Sequence, residues 1–195
     1  MPGHRTRSDD GLSLIETLVS AVIITIVMGA TTTFFINTMK VSHSQGVKQV
    51  AIQLAGEAVD RARAMPGATV VVGRDRTTTD QQWAGAPAGV TAYLADMVRA
   101  SDPAAINPSG QTAALPTVTR PVVVNGITYG QNWYVGNCWQ PVSGGACGPT
   151  QVAGYAVFYR VVVVVTWADN RCVASSCSYV TTTLINSAIT DPVFR

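Results

Sequence analysis

The acidic side chain with the most unusual setting in this 195-residue chain is Glu16. It lies five residues after Gly11 and directly before an apolar run, Thr17 to Met39, that contains no charged residue and is followed by Lys40. As a helix, these 23 residues would measure about 34 Å, enough to cross a bilayer core about 30 Å thick. A carboxylate beside such a run is costly, and the run offers no cation. We therefore expect Glu16 to pair with a positive group from another chain or from a newly formed amino terminus.

Residue patterns for catalysis are sparse. The sequence contains no GxSxG, HExxH, Walker or GxGxxG motif. The only histidines are His4 and His43, and no serine or cysteine is placed by local spacing to form a dyad with His43. Asp169 and Asn170 could ligate calcium, but such a pair after a strand more often forms a turn. We expect no enzymatic activity, cofactor or metal site, and a membrane-anchored extracytoplasmic enzyme has the least support.

All four cysteines lie in the C-terminal half of the chain: Cys138, Cys147, Cys172 and Cys177. Four cysteines allow three pairings, and the short intervening loops favour the sequential pairs. The alternative is a four-thiolate zinc site, although the usual CxxC spacing is missing. Disulfides indicate an oxidising compartment, so we expect the amino terminus inside the cell and the C-terminal domain outside. The basic residues on either side of the apolar run do not decide this orientation.

The composition of the chain limits which other functions and domain arrangements are possible. The chain has 47% hydrophobic and 12% charged residues and a net charge of +2. No short window holds more than two basic residues, so the sequence lacks the basic patch typical of nucleic-acid-binding proteins. Beyond the first helix about 130 residues remain, which is enough for one compact domain.

The helical pattern continues past the apolar run. Apolar residues recur at three- and four-residue steps and form one stripe: Val47, Val50, Ala51, Leu54, Ala58, Ala62 and Met65. Pro66-Gly67 should end the helix, because proline restrains the preceding residue and lacks a backbone donor. The pattern predicts one helix from Leu12 to Ala64, apolar all round in its first half and amphipathic in its second.

After Pro66 the apolar residues no longer recur at helical spacing. Thr69 to Val72 predicts a short strand, followed by a polar loop through Gln82. Helical spacing returns from Val90 and should stop at Asp102-Pro103, and 104–115 has the composition of a loop.

The last third of the chain predicts a sheet. Val122–Val124 and Ile127–Tyr129 flank Asn125-Gly126, a pair that suits a type I′ hairpin turn. Gly154 to Trp167 is β-branched and aromatic, which predicts a central strand buried on both faces. Tyr179 to Ile185 predicts the next strand, joined to it by the Cys172–Cys177 loop, and the helix stripe should cover the apolar strand pair.

The tryptophans leave two uses open. Trp83, Trp133 and Trp139 could form a surface that binds sugar or peptide, whereas core packing is the expected role of Trp167.

The stretch from Gly11 through Glu16 into the apolar run resembles the class III signal of type IV pilins and pseudopilins. The resemblance implies that a membrane peptidase cleaves between Gly11 and Leu12 and methylates the new amine of Leu12, which stands where the family usually has phenylalanine. It also implies that the apolar helix serves first as a membrane anchor and later as the filament core. More loosely, Val163–Asp169 and Val180–Leu184 resemble the closing strands of minor pilins.

This resemblance implies a pilin-like α+β fold, in which a long N-terminal helix packs on an antiparallel sheet. It divides the chain into a leader (1–11), a membrane or filament-core helix (12–39), an amphipathic helix (40–65) and an extracytoplasmic β-rich domain (66–195). The predicted location is the cytoplasmic membrane and then a cell-surface filament.

The function implied is that of a minor pilin or pseudopilin, a subunit that joins or primes a filament for adhesion, motility, DNA uptake or secretion. Its expected partners are other pilin subunits through the N-terminal helix, the prepilin peptidase and the inner membrane. The alternative is a filament-tip module that binds a surface ligand or DNA. An ordinary secretory signal has a shorter apolar core than this run, and an ordinary single-pass anchor has no use for Glu16.

Overall fold

The structure is a computed structural model that describes residues 14–187. It begins with helix α1, Leu14–Arg63, which ends one residue before the predicted Ala64. The predicted start at Leu12 lies outside the described residues. The chain divides between Gly46 and Val47 into two compact units, which are described separately below.

The first unit contains the apolar part of α1. Every residue from Leu14 to His43 is exposed, and large apolar side chains point outward on all sides of this segment. Leu14 is 81% exposed and Phe34 67%. Among the described residues, α1 is the one helix long and apolar enough to cross a membrane, judged by length and composition.

The second unit is built on a five-stranded antiparallel sheet. The strands are β1 (Val98–Arg99), β2 (Arg120–Val124), β3 (Ile127–Gln140), β4 (Ala156–Ala168) and β5 (Ser176–Asn186). The central path of the sheet runs β1-β3-β4-β5, and β2 also pairs with β3. A long helix on an antiparallel sheet is the α+β, pilin-like fold that the sequence predicts.

The β2–β3 hairpin has the predicted turn. Val124 pairs with Ile127, and the two residues between them, Asn125 and Gly126, have φ angles of 51° and 77°. Both values are positive, as a type I′ turn requires, and asparagine and glycine are the residues that tolerate them best.

Strand β4 is the buried centre of the sheet, as its unbroken valines predict. Val161 to Val165 are all 0% exposed, because both faces of the sheet are covered. On one face, Val161, Val163 and Val165 pack in the same core as the stripe of α1. On the other face, Val162 and Val164 pack in a second core with Val90, Leu94 and Met97. The predicted helix stripe therefore covers one side of the apolar strands.

Three local predictions between Pro66 and Pro103 were wrong. The expected strand at Thr69–Val72 is a 3-10 helix, Gly67–Val71. The backbone N–H of Thr69 bonds to the carbonyl of Pro66 at 2.8 Å, and its hydroxyl bonds to the same carbonyl at 2.7 Å. These local hydrogen bonds stabilise the 3-10 turn despite the preference of the valines for a strand.

The expected polar loop through Gln82 is helix α2, Arg76–Ala84, with Asp75 as its N-cap. The expected helix from Val90 is split. Helix α3, Ala88–Leu94, ends early, and Val98–Arg99 pairs with Gly136 and Asn137 of β3 instead. Tertiary pairing overrides the helical spacing here.

Candidate assembly site

Glu16 is the only charged residue from Leu14 to Met39. It lies in the first turn of α1 as the structure describes it, among exposed apolar side chains such as Ile15, Leu18 and Val19. Within residues 14–187 it has neither an ion-pair nor a hydrogen-bond partner. The predicted cleavage and methylation residues, Gly11 and Leu12, lie outside the described residues.

The threonines of the apolar segment satisfy their own hydroxyls. Each donates to a backbone carbonyl three or four residues earlier, at 2.8 to 3.0 Å. They are Thr17, Thr25, Thr31, Thr32, Thr33 and Thr38. A hydroxyl bonded within its own helix needs no water, so it can enter lipid or a packed helix bundle. The threonines therefore do not prevent this segment from entering an apolar environment.

The second half of α1 is fixed to the sheet by three side chains of β3. Tyr129 donates its hydroxyl to the carbonyl of Val47 at 3.2 Å, and Gln131 donates to the carbonyl of Leu54 at 2.9 Å. Trp133 donates its indole N–H to a carbonyl one helical turn further on, at 3.1 Å. These residues alternate along the strand and so share one face.

Small side chains allow the helix to approach the strands closely. Ala51, Ala55, Ala58 and Ala62 are all at most 2% exposed, and they recur at steps of three and four residues. With only a methyl group between helix and sheet, the side-chain donors of β3 can reach the helix backbone. The predicted stripe included Ala51, Ala58 and Ala62 but not Ala55. It also missed the three donors, although their spacing of two residues in a strand was a usable signal.

A buried cation holds the loops of the domain together. Arg74 is 0% exposed, and its guanidinium donates to the carbonyls of Leu115, Pro116 and Trp133 and to Oε1 of Gln82, at 2.5 to 3.3 Å. Burial lowers the pKa of Arg74 to about 10, so the group remains charged at neutral pH. Nothing in the sequence around Arg74 indicates that this arginine is buried.

The cysteines lie in two pairs at disulfide distance. The Cα atoms of Cys138 and Cys147 are 5.5 Å apart, and those of Cys172 and Cys177 are 5.2 Å apart. The first pair ties β3 to the following loop, and the second ties the connection after β4 to the start of β5. Both fit the sequential pairing predicted from the short loops.

The tryptophans do not form one surface. Trp133 is 0% exposed and Trp167 is 8% exposed, so both are core residues. This overturns the surface role considered for Trp133, because its indole serves to bond the helix. Trp139 and Trp83 are half-buried, and the Trp83 ring lies 6.5 Å from that of Tyr134 in an edge-on arrangement.

Residues 14–187 contain no group of three or more His, Cys, Asp or Glu side chains that could hold a metal ion. The Asp169 carboxylate, considered above as a calcium ligand, accepts hydrogen bonds from the backbone and side chain of Arg171 at 3.0 and 3.2 Å. This is the arrangement of a turn-forming aspartate.

Comparison with known proteins concerns the amino-terminal region. No curated protein and no solved structure matches the chain. Residues 6–32 match the family described as the prokaryotic N-terminal methylation motif. This segment covers Gly11, Leu12 and Glu16 and the apolar run as far as Thr32, so the motif overlaps the exposed part of the helix. This amino-terminal segment therefore carries the prepilin signal that type IV pilins and pseudopilins share.

Proposed function

We propose that this chain is a minor pilin or pseudopilin, a structural subunit that joins or primes a type IV pilus-like filament. The observation that carries the proposal is a lone carboxylate at the head of a fully exposed apolar helix, inside a methylation motif. In this proposal the prepilin peptidase cleaves between Gly11 and Leu12. Leu12 then carries the methylated amine, and Glu16 is the assembly residue.

The physical role of Glu16 follows from its two environments. In a membrane, a carboxylate near the helix end can reach the interfacial water, so a single subunit tolerates it. In a filament, sister helices replace the lipid and water is scarce, so an unpaired carboxylate would cost several kcal/mol. The amine of Leu12 in the adjoining subunit stays cationic after methylation and neutralises it. This pairing sets the axial register of one helix against the next.

The same proposal assigns a task to each part of the chain. Residues 1–11 form the leader, 12–39 the anchor and filament core, and 40–65 the amphipathic helix that carries the globular domain of 66–195. Two cysteine pairs at disulfide distance support a domain outside the cytoplasm. The chain would therefore sit in the cytoplasmic membrane before it enters a surface filament.

The test is recovery of the subunit with its filament. Glu16→Ala should insert into the membrane and be cleaved like the wild type, but several-fold less of it should co-purify with the major pilin at matched membrane abundance. The matched control is Glu57→Ala, which removes an exposed carboxylate from the second half of the same helix. Equal recovery of the wild type and Glu16→Ala would contradict an assembly role for Glu16.

The assignment as a minor subunit has its own measurement. Long irregular segments at 100–119 and 141–155 support it, because they give the domain a large share of loop surface. We expect far fewer copies of this chain than of the main subunit in purified filaments, by quantitative mass spectrometry. A copy number equal to that of the main subunit would make it a major pilin.

A further inference from the structure

A cavity of about 510 Å³ lies between α2, the 117–119 segment and the sheet. Its sheet wall includes Asn132 and Tyr134, which alternate with the residues of β3 that contact α1, so it lies on the opposite face of the sheet. We propose that this cavity is a binding site for a neutral saccharide. The proposal is independent of the filament role, because every lining residue belongs to the globular unit.

The composition of the walls selects the class of ligand. Among the described lining residues there is no Asp, Glu, Lys, Arg or His, whereas three carry side-chain amides and six carry hydroxyls. Walls without charge offer no counterion to a phosphate or a carboxylate. An apolar ligand would displace water from the donors and acceptors in the walls without replacing their hydrogen bonds, and this loss would disfavour its binding. A molecule covered with hydroxyls matches both properties.

One amide donor in the walls has a fixed orientation. Arg74 donates to Oε1 of Gln82 at 2.9 Å. A guanidinium can only donate, so flipping the Gln82 amide would bring two donors face to face, and its NH₂ group is held pointing away from Arg74. No described residue accepts a hydrogen bond from the buried Nε2 of Gln82. A donor that is held in place and left without a protein acceptor points to an acceptor on a ligand.

Tyr134, which is 3% exposed, contributes a hydroxyl to the wall. Its ring packs against Trp83, and its hydroxyl has no hydrogen-bond partner among the described residues. Burial raises the pKa of Tyr134, so the phenol is neutral at physiological pH and can donate as well as accept. A hydroxyl that can donate and accept complements the O–H groups of a sugar ring. The cavity volume is within the range of about 300–1,000 Å³ usual for small-ligand sites.

The experiment uses the full chain, with its disulfides intact, in a phosphocholine detergent so that no sugar headgroup competes. The probes are lactose, maltose, cellobiose and diacetylchitobiose, with sialyllactose and a polar tetrapeptide as comparisons. Saturation-transfer NMR detects binding, and calorimetry measures its Kd. We expect at least one neutral disaccharide to bind, and neither sialyllactose nor the tetrapeptide to bind more tightly. Failure of all four neutral sugars, or tighter binding of the peptide, would overturn the proposal.

Two variants locate the site while preserving the fold. Tyr134→Phe removes a hydroxyl that has no protein partner, and Gln82→Glu gives Arg74 a carboxylate partner while removing the free NH₂ donor. Each should weaken the binding of the neutral sugar about three- to tenfold, the loss expected for one hydrogen bond. The matched control is Tyr93→Phe, an exposed tyrosine of α3 outside the cavity wall, which should bind like the wild type.

Stability measurements separate binding from structure. The thermal midpoint of Tyr134→Phe without sugar should equal that of the wild type, because its hydroxyl bonds to no described residue. Sugar should raise the midpoint of the wild type more than that of Tyr134→Phe. Unchanged sugar affinity in both Tyr134→Phe and Gln82→Glu would show that any binding occurs elsewhere and would overturn the proposal.

Discussion

The indole N–H of Trp133 donates to the backbone carbonyl of Ala58 at 3.1 Å, and both residues are buried. The carbonyl of a residue inside a helix has a second lone pair, so it can accept this bond in addition to the intrahelical one. A tryptophan in a core needs a partner for its N–H, and the helix backbone supplies it here because Ala58 has so small a side chain. The bond fixes the position of the helix along the strand.

Trp133→Phe should therefore destabilise the globular domain by about 1–3 kcal/mol, through the lost hydrogen bond and the volume left empty. Urea unfolding of the full chain in detergent, followed by near-UV circular dichroism, measures the change. The control is Trp139→Phe at a half-buried position, whose indole N–H has no partner among the described residues. A loss no larger for Trp133→Phe than for Trp139→Phe would show that the bond to Ala58 contributes little.

Sequence patterns predicted the elements whose periodicity is sustained. The stripe from Val47 to Met65 repeats over many residues and so specifies one buried face of a helix. The unbroken valines of β4 specify a strand that is buried on both faces. The stretch at Thr69–Val72 was too short for such a pattern, and local bonds to Pro66 decided its structure. Val98–Arg99 is extended because it pairs with a strand almost forty residues away in the sequence. A pattern read over about ten or fifteen neighbouring residues cannot reveal such a partner.

The candidate assembly site was predictable to the same extent. Glu16 stands out because a charge interrupts apolar sequence, and that signal is local. The anchoring of α1 by Gln131 and the burial of Arg74 depend on residues brought together by the fold. In the sequence, a buried arginine cannot be distinguished from a surface arginine, because most of the carbonyls that accept its hydrogen bonds come from distant parts of the chain.

A pH dependence of stability is expected from Asp75, the N-cap of α2. Its carboxylate accepts bonds from the backbone N–H of Thr78 at 3.0 Å and from the hydroxyl of Thr78 at 2.8 Å. These bonds lower the pKa of Asp75 below its usual value. Because the unfolded state then takes up the proton more readily, the stabilisation is present above the usual pKa of about 4 and is lost as the pH falls through the lower folded value.

The measurement is urea unfolding of the wild type and Asp75→Ala at about pH 7 and at about pH 2. Asp75→Ala should be less stable than the wild type at the higher pH, and the difference should shrink at the lower pH. Asp75→Asn is the control, because an amide oxygen can still cap the helix but does not titrate. A difference between wild type and Asp75→Ala that stayed constant with pH would rule out the charge as its source.

The cysteine pairs make a prediction about connectivity. Peptide mapping without reductant, on protein isolated from the cell envelope, should recover Cys138 linked to Cys147 and Cys172 linked to Cys177. Replacing both members of one pair by alanine should cost about 2–3 kcal/mol if the disulfide acts by restricting the unfolded chain. Four free thiols in that material would contradict the proposed location outside the cytoplasm.

The last prediction concerns processing at Gly11. If the peptidase cleaves there, the amino-terminal peptide of the protein from native membranes begins at Leu12 and carries one added methyl group, which mass spectrometry detects. Gly11→Ala should retain part of the cleavage because alanine is nearly as small, whereas Gly11→Leu should block it. The control is Gly29→Leu, at a position where an added Cβ meets no atom within 4 Å, and this variant should be cleaved normally. A mature protein that retained Met1, or began beyond residue 30, would exclude the prepilin pathway for this chain.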